Sequence, residues 1–237
     1  MNQYQALWSD LGLVEYKRSL LLQSALQERA TVPGGPGFIV FLEHPPTITL
    51  GYSLKGDEGR SSIRSPQDEL AAEGISVVEV DRGGKATYHG PGQLVCYLIL
   101  SLKELRLGVK RYVGKLESVI LKSLRELSVE ADIDPSYPGV WVSGAKVAAL
   151  GIRVSDRITS HGFSLNLDPD LENFRHIVPC GIAEREVTSL AALAVKVPER
   201  NRLIGLLLQQ IEKDLKIELK KRESQQIWSE LERGAGL

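Results

Sequence analysis

Strand-like and helix-like segments follow one another in this chain without regular βαβ alternation, and that order constrains the fold more than any other feature of the sequence. Apolar residues at helical spacing run through 14–30, and TVPGGPG at 31–37 stops that helix. FIVFLE at 38–43 and TITLG at 47–51 read as strands on either side of the rigid Pro45–Pro46 pair. Residues 55–66 read as a polar surface loop, and a short helix at 67–73 leads into the strand ISVVEV at 75–80. After RGGKATYHGPGQ comes the apolar strand LVCYLILSL at 94–102. An amphipathic helix is expected over 108–127, followed by three strands within 138–168: GVWVS, KVAALGIRV and SHGFSLNLD. Two helices near 198–214 and 223–233 close the pattern, joined by the strand KIELK. The expected class is α+β, with a mixed, mainly antiparallel sheet flanked by helices. No repeat, low-complexity tract or linker divides residues 1–237, which are read as a single domain.

Composition removes several partners. A formal net charge of −1 gives no global field to select nucleic acid or an anionic membrane. The first residues lack the basic and apolar regions of a signal peptide, and apolar runs such as 203–208 are far too short to span a bilayer. The expectation is a cytoplasmic protein with reduced thiols. Its two cysteines, Cys96 and Cys180, make no disulfide framework and no zinc cluster.

Three constellations can carry chemistry. In Arg82-Gly83-Gly84-Lys85-Ala86-Thr87-Tyr88-His89-Gly90-Pro91-Gly92-Gln93, four glycines let the backbone approach a ligand closely, and Arg82, Lys85 and His89 supply donors. The spacing fits neither dinucleotide nor P-loop patterns, and a tight turn between strands is the competing reading. Lys146 and Cys180 form the second. Alone, a lysine is usually a solvated charge and a cysteine a small buried hydrophobe. Cys180 stands in Val178-Pro179-Cys180-Gly181-Ile182, which suits a presented thiol, whereas Cys96 in LVCYLIL reads as core. The third is His161-Gly162-Phe163-Ser164-Leu165-Asn166, where a histidine and glycine open an alternating strand. His44, in Glu43-His44-Pro45-Pro46, reads as a structural histidine.

Together these segments resemble the lipoyl(octanoyl) transferases. RGGKATYHGPGQ, GAKVAALGIR at 144–153, SHGFSLNL at 160–167 and FRHIVPCGI at 174–182 stand in that family's order and spacing. EHPPTITLG at 43–51 and VTSL at 187–190 match as well, and the resemblance covers roughly residues 10–195. It implies the catalytic fold shared with biotin protein ligases and lipoate-protein ligases. It implies that Cys180 carries the acyl group as a thioester and that Lys146 is its catalytic partner. The acyl pocket would be formed by Arg82, Gly83, Gly84, Lys85, Ala86, Thr87, Tyr88 and His89, by Ala149, Leu150 and Gly151, and by Gly162, Phe163 and Ser164. The implied donor is octanoyl-acyl carrier protein. The implied acceptors are lipoyl domains of 2-oxoacid dehydrogenase subunits and the glycine cleavage H protein. No cofactor and no metal are implied, and a monomer is expected. Tyr97-Leu98, Ser160 and Tyr52 depart from the family's usual residues.

The chemistry accounts for the residue types. Exchange of one thioester for another is nearly isoenergetic, and transfer from thioester to amide is downhill, so no ATP is needed. A thiolate is both a nucleophile and a good leaving group. A free thiol is mostly protonated near neutrality, so a nearby ammonium favours its reactive form. The same lysine can give a proton to the departing thiol and take one from the incoming amine. Backbone N–H groups near the glycines can stabilise the oxyanion, and small residues such as Gly83, Gly84, Ala149 and Gly151 leave room for an acyl chain. Burial of about six methylenes contributes roughly 0.8 kcal/mol each. The alternatives are an ATP-dependent lipoate-protein ligase, which needs no cysteine in a PCG context, and a non-catalytic acyl-binding or carrier-docking protein. A metal enzyme is disfavoured because His44, His89, His161 and His176 are dispersed in sequence.

Overall fold

The computed structural model describes residues 3–53, 62–178 and 186–234; Cys180 and most of the polar segment 55–66 lie outside the described residues. Eleven strands form two sheets among those residues. The larger sheet has the order β11-β1-β2-β6-β10-β9-β8-β7. Its strands are β1 (Gln5–Leu13), β2 (Gly37–Glu43), β6 (Gln93–Ile99), β7 (Asp132–Asp134), β8 (Tyr137–Val142), β9 (Ala145–Ser155), β10 (Ile158–Asn166) and β11 (Glu218–Lys221). The smaller sheet has the order β4-β3-β5, built from β3 (Thr47–Leu50), β4 (Ser76–Glu79) and β5 (Ala86–His89). β1 pairs in parallel with β2 and β11, and β3 with β4; every other described pair is antiparallel. The expected mixed, mainly antiparallel α+β architecture is therefore the one observed.

The run LVCYLIL is apolar at every position because β6 is covered on both faces. Leu94, Cys96 and Leu98 point into one core, with α3 (Val109–Arg125) and α4 (Arg200–Leu215). Val95, Tyr97 and Ile99 point into another, with α1 (Tyr16–Thr31) and α5 (Ser224–Gly234). β2 alternates in the same way, sending Ile39 and Phe41 to the first core and Phe38, Val40 and Leu42 to the second. On α3, Tyr112, Leu116, Val119, Ile120 and Leu124 recur at helical spacing and are buried. A third, smaller core lies under α2 (Gln67–Ala72) and joins Ile48, Leu50, Leu70 and Tyr88 to Ile177. Arg200 at the start of α4 ties three elements together, bonding Asp10 at 2.7 and 2.8 Å and Glu43 at 2.5 Å.

Elements absent from the sequence reading are β1, β5, β7 and the 3-10 turn Leu171–His176. QALWSDLGL in β1 has no clean alternation, since its burial is set by parallel neighbours on both sides. None of the described helices is long and apolar enough to cross a membrane.

Candidate functional site

A mostly apolar cavity of about 320 Å³ lies where the β4–β5 loop of the small sheet folds over β9 and β10. Gly83 N–H donates to Ile152 O at 3.0 Å, which fixes that loop to β9. The cavity is lined by Arg82, Gly83, Gly84, Lys85, Ala86, Thr87 and His89, by Ala149, Leu150 and Gly151, and by Gly162, Phe163 and Ser164. Tyr16, Val95, Tyr97, Val113, Tyr137, Pro138, Lys146, Ile152 and His161 complete the wall. Tyr88 alone of the expected pocket residues is not on it. Strand alternation in β5 sends its ring the other way, where it meets Phe174 edge-on and accepts a hydrogen bond from Asn173 at 3.0 Å.

The glycines of the loop and of β9 also meet one another. A Cβ on Gly151 would come within 2.9 Å of Gly83 O, and one on Gly83 within 3.1 Å of Ile152 O. They let two backbones approach, and the space for a ligand follows from that approach. Arg82 is likewise a strut. It is 7% exposed, and its guanidinium donates to Thr49 Oγ1 at 2.7 Å, Thr49 O at 2.9 Å and Gly83 O at 3.1 Å. Lys85 is exposed at the rim.

Lys146 stands near the start of β9 and is 7% exposed. Its Nζ donates to Pro138 O at 3.1 Å and lies 4.7 Å from the centroid of the Trp141 ring. Gly139, at φ 145°, makes room for it: a Cβ there would lie 3.0 Å from Lys146 Cε and 2.8 Å from Ala148 O. Glu117 is also buried and accepts from Gly139 N–H at 3.1 Å. Burial pushes its carboxyl above the usual range, opposed by that hydrogen bond and by the nearby Lys146 charge. Neither Gly139 nor Glu117 carried a signal in the sequence. Cys180 lies outside the described residues. Cys96 sits in the core of β6, where burial pushes its thiol well above the ordinary value.

The backbone of Lys146 is clamped on its outer side. Its N–H donates to Glu186 O and its C=O accepts from Thr188 N–H, both at 2.9 Å. A polar chain leads from there to the cavity floor. Thr188 O accepts from Asn166 Nδ2 at 2.9 Å, and Asn166 Oδ1 accepts from Gln93 Nε2 at 2.8 Å. Gln93 Oε1 then accepts from His89 Nδ1 at 2.6 Å. Gln93, Asn166 and Thr188 belong to three separate motifs of the sequence, and one hydrogen-bonded chain joins them.

Three of the four histidines, His44, His89 and His161, are dispersed in sequence but gather around Tyr97 and Tyr16 in space. His44 and His89 rings lie 5.7 Å apart, and His161 meets Tyr97 edge-on at 5.9 Å. Each is committed to a protein partner. His44 Nδ1 donates to Val14 O at 2.6 Å, and its Nε2 accepts from Tyr97 OH at 2.7 Å. Among the described residues the one group able to hold a metal is Glu69, Glu73 and His176, where Arg175 already pairs with Glu73 at 2.8 Å. None of those three lines the cavity.

Burial lowers the pKa of His44, His89 and His161, against the opposing pull of Asp81 at His161, with His44 pushed down to about 4. The unfolded chain therefore binds more protons once the pH drops below about 6.5, so stability present above that value is lost as the pH falls toward 4. For His44 alone, moving from pH 7 to pH 5 removes roughly 2 kcal/mol. Denaturant unfolding at the two pH values is expected to show at least that loss. His44→Gln, which does not titrate, is expected to show a shallower dependence. An equally steep profile in the variant would remove His44 as a cause.

Comparison with known proteins agrees with this geometry. The profile described as the lipoyl protein ligase A/B catalytic domain matches residues 15–212. An octanoyltransferase of Chloroflexus aggregans is 41% identical over 191 residues, covering 79% of this chain and 85% of that protein. An octanoyltransferase of Myxococcus xanthus is 42% identical over 186 residues; the match takes in 76% of this chain but about half (51%) of that longer protein. A crystal structure of lipoate-protein ligase A bound with ATP superposes with a TM-score of 0.76, covering 98% of this chain and 94% of that one. At 15% identity that likeness speaks for the fold alone. The profile match takes in the small sheet, the whole cavity and the clamp on Lys146, and the chain belongs to the lipoyl protein ligase A/B catalytic domain family.

Proposed function

We propose that this chain is an octanoyltransferase, moving an octanoyl group from a carrier-bound thioester through Cys180 to a lysine of a lipoyl domain. The observation that carries the reading is an apolar cavity sized for a medium acyl chain with a buried lysine, Lys146, on its wall. Acyl carrier protein is the donor, with the exposed Lys85 placed to meet an acidic partner at the rim. Residues 1–237 act as one catalytic domain.

In the first step the Cys180 thiolate attacks the donor thioester. The carbon–sulfur bond to the carrier breaks, and Lys146 returns a proton to the departing thiol. In the second step the acceptor amine attacks the acyl-cysteine, Lys146 takes the proton, and the thiolate leaves as the amide forms. The neighbours of Lys146 suit both steps. Pro138 O and the Trp141 face hold its Nζ, and Gly139 leaves its stem unobstructed.

Intact-mass spectrometry after mixing with octanoyl-carrier protein, without ATP, tests the reading. The expected result is one octanoyl adduct that hydroxylamine removes and that Cys180→Ser lacks. An adduct that maps to Cys96 would sink the assignment of Cys180, and activity that requires ATP and free octanoate would move the protein to the ligase class.

A further inference from the structure

One side chain borders both the cavity and a second space. Beyond His161 lies a second cleft of about 570 Å³, more polar, between α1 and the end of the small sheet. Gln23, Ser24, Gly51, Asp81 and Ser160 are among its walls, and His161 is the one residue that lines both spaces.

That side chain is held in place against local preference. His161 has φ 56° in the middle of β10, a conformation that glycine adopts freely and that costs other residues on the order of 1–3 kcal/mol. Its Nδ1 is buried and has no hydrogen-bond partner among the described residues. Three contacts impose the arrangement nonetheless. The His161 N–H donates to Gln23 Oε1 at 2.7 Å, its Nε2 donates to Asp81 Oδ1 at 2.9 Å, and Arg153 pairs with the same Asp81 carboxylate. The ring is 3% exposed and rigidly oriented. A glycine at this position would satisfy the backbone, so what the histidine adds is the ring across the gap.

The strand register sets the position of this ring relative to Lys146. His161 pairs with Ile152 on β9, six residues from Lys146 along that strand, a span of roughly 20 Å. Between them, Ala149, Leu150 and Gly151 line the cavity. If the acyl carbonyl reacts near Lys146, as the proposed function requires, the methyl end of the chain points at His161.

We propose that His161 is the chain-length stop of the acyl pocket, a specificity-determining residue that closes the apolar cavity against the cleft behind it. Octanoyl fits in front of the ring, and longer chains meet it. Removing the ring joins the two spaces, and the extra methylenes enter a roomy cleft.

The test compares kcat/KM for octanoyl-, decanoyl- and dodecanoyl-carrier protein in the wild type and in His161→Gly, a variant that accepts the native φ without strain. Steric rejection of one or two methylenes is typically worth tenfold or more, so the decanoyl-to-octanoyl ratio is expected to rise at least about tenfold in the variant. His161→Asn, whose residue type also tolerates positive φ, is expected to give a smaller rise in the same direction; it is the variant read if His161→Gly does not fold. A wild type that uses dodecanoyl as readily as octanoyl would overturn the inference, as would folded variants with an unchanged ratio. Failure of the wild type to transfer octanoyl at all would instead sink the proposed function.

Discussion

Lys146→Ala is expected to lower turnover by about 10²–10⁴-fold, the usual contribution of a general acid–base, and Lys146→Arg to restore little of it. That range corresponds to roughly 3–5 kcal/mol of transition-state stabilisation. Two models of the residue part company at arginine. If Lys146 serves only as a positive charge beside a thiolate, arginine retains much of the activity. If it gives and takes a proton, arginine fails, because it does not release one near neutral pH. The site adds a steric consideration, since Gly139 leaves room for the Lys146 stem and Pro138 O accepts from a single ammonium. Single-turnover assays on variants with matched melting temperatures separate these outcomes. Near-wild-type turnover in a folded Lys146→Arg protein would remove the proton-transfer role while leaving the nucleophile untouched.

Gly162→Ala is expected to cost stability on a scale that threatens folding, on the order of 4 kcal/mol or more. Gly162 pairs with Tyr97 across the centre of the larger sheet, and an added Cβ would overlap the backbone oxygen of Cys96 and press on Leu98. The Leu98 methyl can turn aside, but the Cys96 carbonyl is backbone and cannot, so β10 and β6 must separate. The same substitution elsewhere provides the control. Gly205 on α4 is exposed with open space around its Cα, so Gly205→Ala is expected to stabilise by about 0.5–1 kcal/mol. Urea unfolding of the two variants measures both. A loss below about 1 kcal/mol at Gly162 would mean that the two strands are not held as closely as described.

Much of the fold was legible because burial dictates pattern. The helix over 109–125 follows from its apolar spacing, and the central strand β6 from an unbroken apolar run. β1 was not legible: its residues do not alternate, and its pairing with β2 and β11 is a relation between distant segments that no local window contains. The site divides along the same line. Nearly all of the segments expected at the pocket line one cavity, since short motifs carry their own geometry. Tyr88 packs on Phe174 and Asn173 instead of lining the cavity, a difference that a motif read as a string does not carry. Gly139 and Glu117 went unseen because their importance lies wholly in what they touch. Likewise Gly83 and Gly151 make room for each other's backbone, a reason visible only once β9 and the loop meet.

The polar chain behind Lys146 also bears on how the protein matures. The pair His89 and Gln93, then Asn166, Thr188 and the lysine itself come from four stretches of chain, and the links Gln93–Asn166 and Asn166–Thr188 span 73 and 22 residues. Each such contact carries a loop-closure entropy that grows with the separation it spans. The surroundings of Lys146 therefore exist only where these distant stretches have met, and a partly folded chain lacks them.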